Sequence, residues 1–268
     1  MNQLFNHYLR QYYHLAICTF CITAFTYKSA AIDVHWVYVT WVAVVSYILY
    51  NFHYLFLCEK KQFYIEWKKN YLFPVKLLVI IYIGFLQLKN IDSEIPALLI
   101  SFFLSIIYFR KTILNSHALR QNYLLKPLII GLVFAILTAY IPYLHAGYTV
   151  SESLFLSVAR CTFIAALSLT FDIGDILEDT ETPTITLPQK VGIRTTKWVT
   201  TILLLISGLI EAYGAWIFLI EFPALIVLFF TYFFAWVLII KSGSSRPSWY
   251  YLFLVDGTMA MPLLFSLI

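Results

Sequence analysis

Charge is scarce in this sequence. Asp, Glu, Lys and Arg together make up 12% of its 268 residues, while 61% are hydrophobic. A water-soluble domain of this size needs far more charge to cover its surface, so a soluble globular fold is excluded. Two smaller soluble domains are excluded too, because apolar runs of about 20 residues recur along the whole length. Cysteine is also rare, and four residues supply no disulfide framework. Cys18 and Cys21 have redox or zinc spacing but lie inside an apolar run, where packing as small core residues is the expected role. Met1 to Arg10 carry neither a clear charged lead nor a small-residue cleavage site, so the first apolar run reads as a retained helix. The net charge of +4 does not point to nucleic acid, since the basic residues sit in short loops between apolar runs.

What is present is a succession of long apolar runs. They predict an all-α, polytopic membrane protein with about nine transmembrane helices in a single domain, residues 1–268. The predicted spans are Tyr12 to Ala30, Trp36 to Leu57, Leu72 to Leu88, Ile95 to Tyr108, Pro127 to Leu144, Leu154 to Phe171, Trp198 to Trp216, Phe222 to Ile240 and Tyr250 to Ile268. Pro74, Pro96, Pro127 and Pro223 are placed at helix starts, where a missing N–H costs least. Fourteen Lys and Arg residues fall on one side of this topology, from Arg10 and Lys60 through Lys126 to Lys241 and Arg246, against Lys28 and Lys89 on the other. The positive-inside rule then puts the N-terminus in the cytoplasm and the C-terminus outside. The ends of spans 2 and 6 share a side, four helices apart, and both turn polar. That spacing predicts two pseudo-repeats, about 1–125 and 126–240, followed by a last helix, with a site between the halves.

Acidic residues concentrate after span 6, where Asp172, Asp175, Glu178, Asp179 and Glu181 crowd into ten positions. If the helix of span 6 runs on, Asp172, Asp175 and Asp179 stand at i, i+3 and i+7, within about 60° of one another. Two carboxylates about 6 Å apart repel by roughly 3 kcal/mol at an effective dielectric near 20. Three of them need protons, a cation or open water. Mg²⁺ is the expected cation, because it binds through one or two carboxylates and completes its shell with water and substrate phosphate. A solvated acidic loop is the competing reading, and spacing alone does not separate the two.

The run Asp172-x2-Asp175-x3-Asp179-x6-Thr186-Leu187-Pro188-x3-Gly192 resembles the second aspartate-rich motif of the UbiA superfamily of intramembrane prenyltransferases. Tyr108-x-Arg110-Lys111 is similar to that family's tyrosine-plus-basic segment. The resemblance implies nine helices around a central cavity, with Mg²⁺ held at its cytoplasmic end and the prenyl group of an isoprenoid diphosphate passed to a lipid-soluble acceptor. It assigns Asp172, Asp175 and Asp179 as catalytic metal ligands aided by Asn51 and Glu59. Arg110, Lys111, Arg120 and Lys190 become diphosphate contacts, and Arg160 and Tyr108 cavity residues. A bacterial inner membrane is the implied location. The first motif departs from the family pattern: Asn51 is kept, but Phe52 and Leu55 stand where aspartates are expected and Glu59 takes the last position. Phe and Leu cannot ligate Mg²⁺, which opens two alternatives. One is a cyclase of the same superfamily; the other is a non-catalytic protein that binds a lipid or scaffolds a membrane complex.

Several other residues carry expectations. His53, beside the weakened motif, reads as a satisfied or interfacial histidine rather than a substitute ligand. Arg160 lies mid-span, where a charge costs about 2.5 to 3.5 kcal/mol, so an ion pair with Asp256 of span 9 and a role in the cavity are both open. Glu211 and Glu221 are placed near an outer turn within reach of water.

Overall fold

The structure, a computed structural model, describes residues 8–9, 12–57, 82–84, 86–88, 91–114, 123, 125–176 and 186–266; for 51–57, 91, 106, 107 and 109–114 it describes the backbone alone. All regular structure among the described residues is helical. The helices are α1 (Tyr13–Ser29), α2 (Trp36–Leu57), α3 (Ile91–Leu114), α4 (Leu125–His145), α5 (Val150–Gly174), α6 (Leu187–Val191), α7 (Ile193–Trp216) and α8 (Phe222–Lys241). A π-helical segment (Tyr250–Val255) and α9 (Met261–Phe265) follow. Four of them, α4, α5, α7 and α8, are long and apolar enough to cross a membrane. The chain is a membrane protein.

Burial differs sharply among these four. Residues of α4 and α5 are mostly enclosed, whereas α7 and α8 turn Leu205, Leu209, Phe229 and Phe233 outward. Apolar side chains on an outer face are what a bilayer covers. At the centre, α5 packs most extensively against α4 and α7, and α1 against α2. Gly131 of α4 makes the α4–α5 approach possible: a Cβ there would stand 2.6 Å from the Cys161 carbonyl oxygen. Helix α1 carries Thr19, Thr23 and Thr26 on buried positions, and each hydroxyl donates to the carbonyl four residues earlier at 2.8, 2.7 and 3.1 Å. Such back-bonding leaves no bare hydroxyl in an apolar setting.

Local chemistry accounts for several boundaries. Helix α5 opens on a capping box, in which the Glu152 N–H donates to Thr149 Oγ1 at 3.3 Å and the Thr149 N–H to Glu152 Oε2 at 2.8 Å. Pro223 lies in the first turn of α8, as expected, but Pro96 stands inside α3, which begins at Ile91. The predicted fourth span was therefore too short at both ends. Nor is the predicted ninth span one regular helix, since a turn at 258–260 separates the π-helical segment from α9. Of the predicted third span, Leu72 to Leu88, only residues 82–84 and 86–88 are among the described residues. Cys18 and Cys21 are buried in the core.

Candidate functional site

Helix α5 does not run on through the acidic stretch. It ends at Gly174, and Asp175 is its C-cap, with the Asp175 N–H donating to the Phe171 carbonyl at 3.0 Å. The glycine has a steric reason: a Cβ on Gly174 would lie 2.6 Å from the Tyr251 ring. That ring is fixed in turn by its hydroxyl, which donates to the Gly243 carbonyl at 2.9 Å and accepts from the Gly243 N–H at 3.0 Å. The continuous i, i+3, i+7 face expected for Asp172, Asp175 and Asp179 is thus interrupted after its first member. Asp179 lies outside the described residues.

Asp172 is 1% exposed and takes a hydrogen bond from Lys126 Nζ at 2.6 Å. Lys126 belongs to the first turn of α4, so the ion pair ties the start of α4 to the end of α5. A buried carboxylate needs such a partner, because the cost of stripping its water exceeds what packing returns. Lys126 itself is 40% exposed and turns toward a cavity of about 340 Å³. Lys126, Asp175 and Asp256 line that cavity together with Tyr12, Tyr50, Tyr108 and Tyr251. Leu15, Ile130, Phe134, Ile164 and Met259 supply its apolar wall. A second, almost entirely apolar chamber of about 60 Å³ shares Tyr50, Tyr108, Ile130 and Phe134 with it. Polar groups at one end and hydrocarbon at the other suit an amphiphilic ligand.

Of the residues singled out from the sequence, Asp175 and Tyr108 line this cavity and Asp172 stands behind Lys126. Lys190 lies 4.2 Å from the centre of the Tyr123 ring, a cation–π contact. Asn51, His53, Arg110 and Lys111 are on helices whose side chains there are not described, and Glu59 and Arg120 lie outside the described residues. Oxygen donors suit Mg²⁺. Those of Asp172, however, are engaged by Lys126, and no group of three or more His, Cys, Asp or Glu among the described residues could hold a metal ion. The described side chains do not fit an ion seated on Asp172.

Two expectations about intramembrane charges are corrected. Arg160 pairs with neither Asp256 nor any other carboxylate among the described residues, and it lines neither cavity. Its guanidinium instead donates to the Ile22 carbonyl at 3.3 Å, Thr138 Oγ1 at 3.3 Å and Thr26 Oγ1 at 3.2 Å. The threonine hydroxyls of α1 and α4 thereby do what a counter-ion was expected to do. Glu211 is buried rather than open to water, and takes a 2.6 Å hydrogen bond from the Tyr232 hydroxyl. Sequence reasoning missed the cavity roles of Lys126 and Asp256. Lys126 counted only toward topology, and Asp256 was assigned to Arg160; the signal for both is an ionisable residue at or inside an apolar run.

No protein-family model matches the chain, and no curated protein or solved structure matches it either.

Proposed function

We infer that this membrane protein is prenyltransferase-like: it takes an isoprenoid diphosphate and transfers the prenyl group to a lipid-soluble acceptor, as the UbiA-like motif Asp172 to Gly192 implies. One observation carries the reading. Lys126 and Asp175 line a cavity beside the end of α5, and Tyr50, Tyr108, Ile130 and Phe134 of its wall also line an apolar chamber. In this reading Lys126 donates to diphosphate oxygens, with Arg110, Lys111, Arg120 and Lys190 as further cations. Tyr50, Tyr108 and Phe134 enclose the isoprenoid and keep water from its reactive end. Mg²⁺, when bound, would offset charge on the departing diphosphate. Asp175 and Asp179 are the carboxylates left for it while Lys126 holds Asp172.

The Lys126–Asp172 pair favours a second reading, a non-catalytic protein that binds the same lipid phosphate. It neutralises a carboxylate that a metal would need. To separate the two, purified full-length protein is incubated with ten-, fifteen- and twenty-carbon prenyl diphosphates, with Mg²⁺ or with EDTA. The first reading expects Mg²⁺-dependent release of diphosphate that falls at least tenfold in Asp175→Asn. Binding without release leaves the second reading standing; neither binding nor release at any chain length ends both.

A further inference from the structure

Asp256 poses a separate question. It is 8% exposed, it lines the 340 Å³ cavity, and no hydrogen-bond or ionic partner meets its carboxylate among the described residues. Every other buried carboxylate described has a partner: Lys126 for Asp172, His145 for Glu94 and Tyr232 for Glu211. A carboxylate this little exposed and left without a partner is costly in its charged form. Its natural complement is a positive charge that enters from the cavity. Lys126 does not provide that charge, because its ammonium is already bound to Asp172. Tyr12, Tyr50, Tyr108 and Tyr251 share the same lining, and aromatic faces attract organic cations.

We propose that Asp256 and these tyrosines form a binding subsite for the ammonium head of an amphiphilic organic cation, whose hydrocarbon lies against Leu15, Ile130 and Phe134. An alkylammonium matches each part of the lining: charge against Asp256, a greasy cationic surface against the rings, and a chain that reaches toward the apolar chamber. Alkanols lack the charge, and carboxylates carry the wrong one. This subsite does not rest on diphosphate binding, and it needs no metal.

The test uses the purified full-length protein in neutral detergent with EDTA and no diphosphate. Isothermal titration calorimetry compares n-hexyltrimethylammonium, 1-hexanol and hexanoate. The parent protein binds the ammonium saturably and at least tenfold more tightly than either control. Asp256→Asn, which keeps the shape of the side chain, weakens ammonium binding at least tenfold, and Asp256→Glu restores most of it. An unchanged affinity in a folded Asp256→Asn protein overturns the proposal. On the parent alone, so does hexanoate or hexanol binding as tightly as the ammonium, or no saturable ammonium binding. Failure here leaves the prenyl diphosphate assay untouched, and failure there leaves this one intact.

Discussion

The two ends of α4 handle buried polarity in opposite ways. Lys126 and His145 mark those ends, about 30 Å apart at 1.5 Å per residue. Around His145 the polar groups close on one another: its Nδ1 lies 2.7 Å from the Tyr27 hydroxyl and its Nε2 3.3 Å from Glu94 Oε2, with both ionisable side chains fully buried. Tyr38, edge-on to the same imidazole, donates to the Leu137 carbonyl at 2.8 Å. Toward the same end of the bundle, the Tyr232 hydroxyl joins Glu211 to Ser207, which reaches the Ala159 carbonyl at 2.6 Å. Around Lys126, by contrast, one ion pair borders an open cavity and a nearby carboxylate has no partner. A satisfied network in a medium of low dielectric joins helices and leaves nothing for a ligand. An unsatisfied group on a cavity wall leaves its partner to be supplied from outside.

Substitutions at the two ends test that contrast. The largest effect is expected at Lys126→Leu, which strands Asp172 at 1% exposure without its counter-ion. The loss should be about 3 kcal/mol, the low end for a broken buried pair, because the lysine is half open to the cavity. Asp172→Leu should cost only about 1 kcal/mol, since the freed ammonium can turn into the cavity. Thermal unfolding in detergent reads the asymmetry, and equal losses would mean that the pair is solvated. Next comes Tyr232→Phe at the closed end. Removing a 2.6 Å bond to a buried carboxylate should cost about 2 kcal/mol. A neutral outcome would make the Glu211 network as loose as the open end. The smallest effect belongs to Asp256→Asn, where no bond is lost and stability should stay within about 0.5 kcal/mol of the parent. A loss beyond 2 kcal/mol would reveal a structural partner and erase the difference between the ends.

The residues differ in how much of their placement was legible beforehand. Trp36 to Leu57 was readable as one helix because hydropathy is a local property, and the structure has the same bounds. At the end of span 6 the sequence left open both a helix running on and a solvated loop. The spacing allowed a helix through Asp179, but Gly174 and the Tyr251 ring packed on it stop the helix one residue before Asp175. Arg160 was rightly placed inside the bundle, yet its partners are hydroxyls and a carbonyl rather than Asp256. A guanidinium has five donors, and threonines already bonded to their own helix can still accept.

Composition and periodicity alone determined that this chain is a helical membrane protein and, among the described residues, the approximate course of helices such as Trp36–Leu57 and Phe222–Lys241. Each apolar run must bury its own backbone polarity, and that demand is written residue by residue. Only the tertiary structure decided which polar groups meet. Lys126 and Asp172 lie 46 positions apart, and His145 and Glu94 lie 51 apart, so their pairing depends on how each helix is rotated against its neighbours. That rotation follows from close contacts such as Gly131 against Cys161 and Gly174 against Tyr251, which no single run of sequence contains.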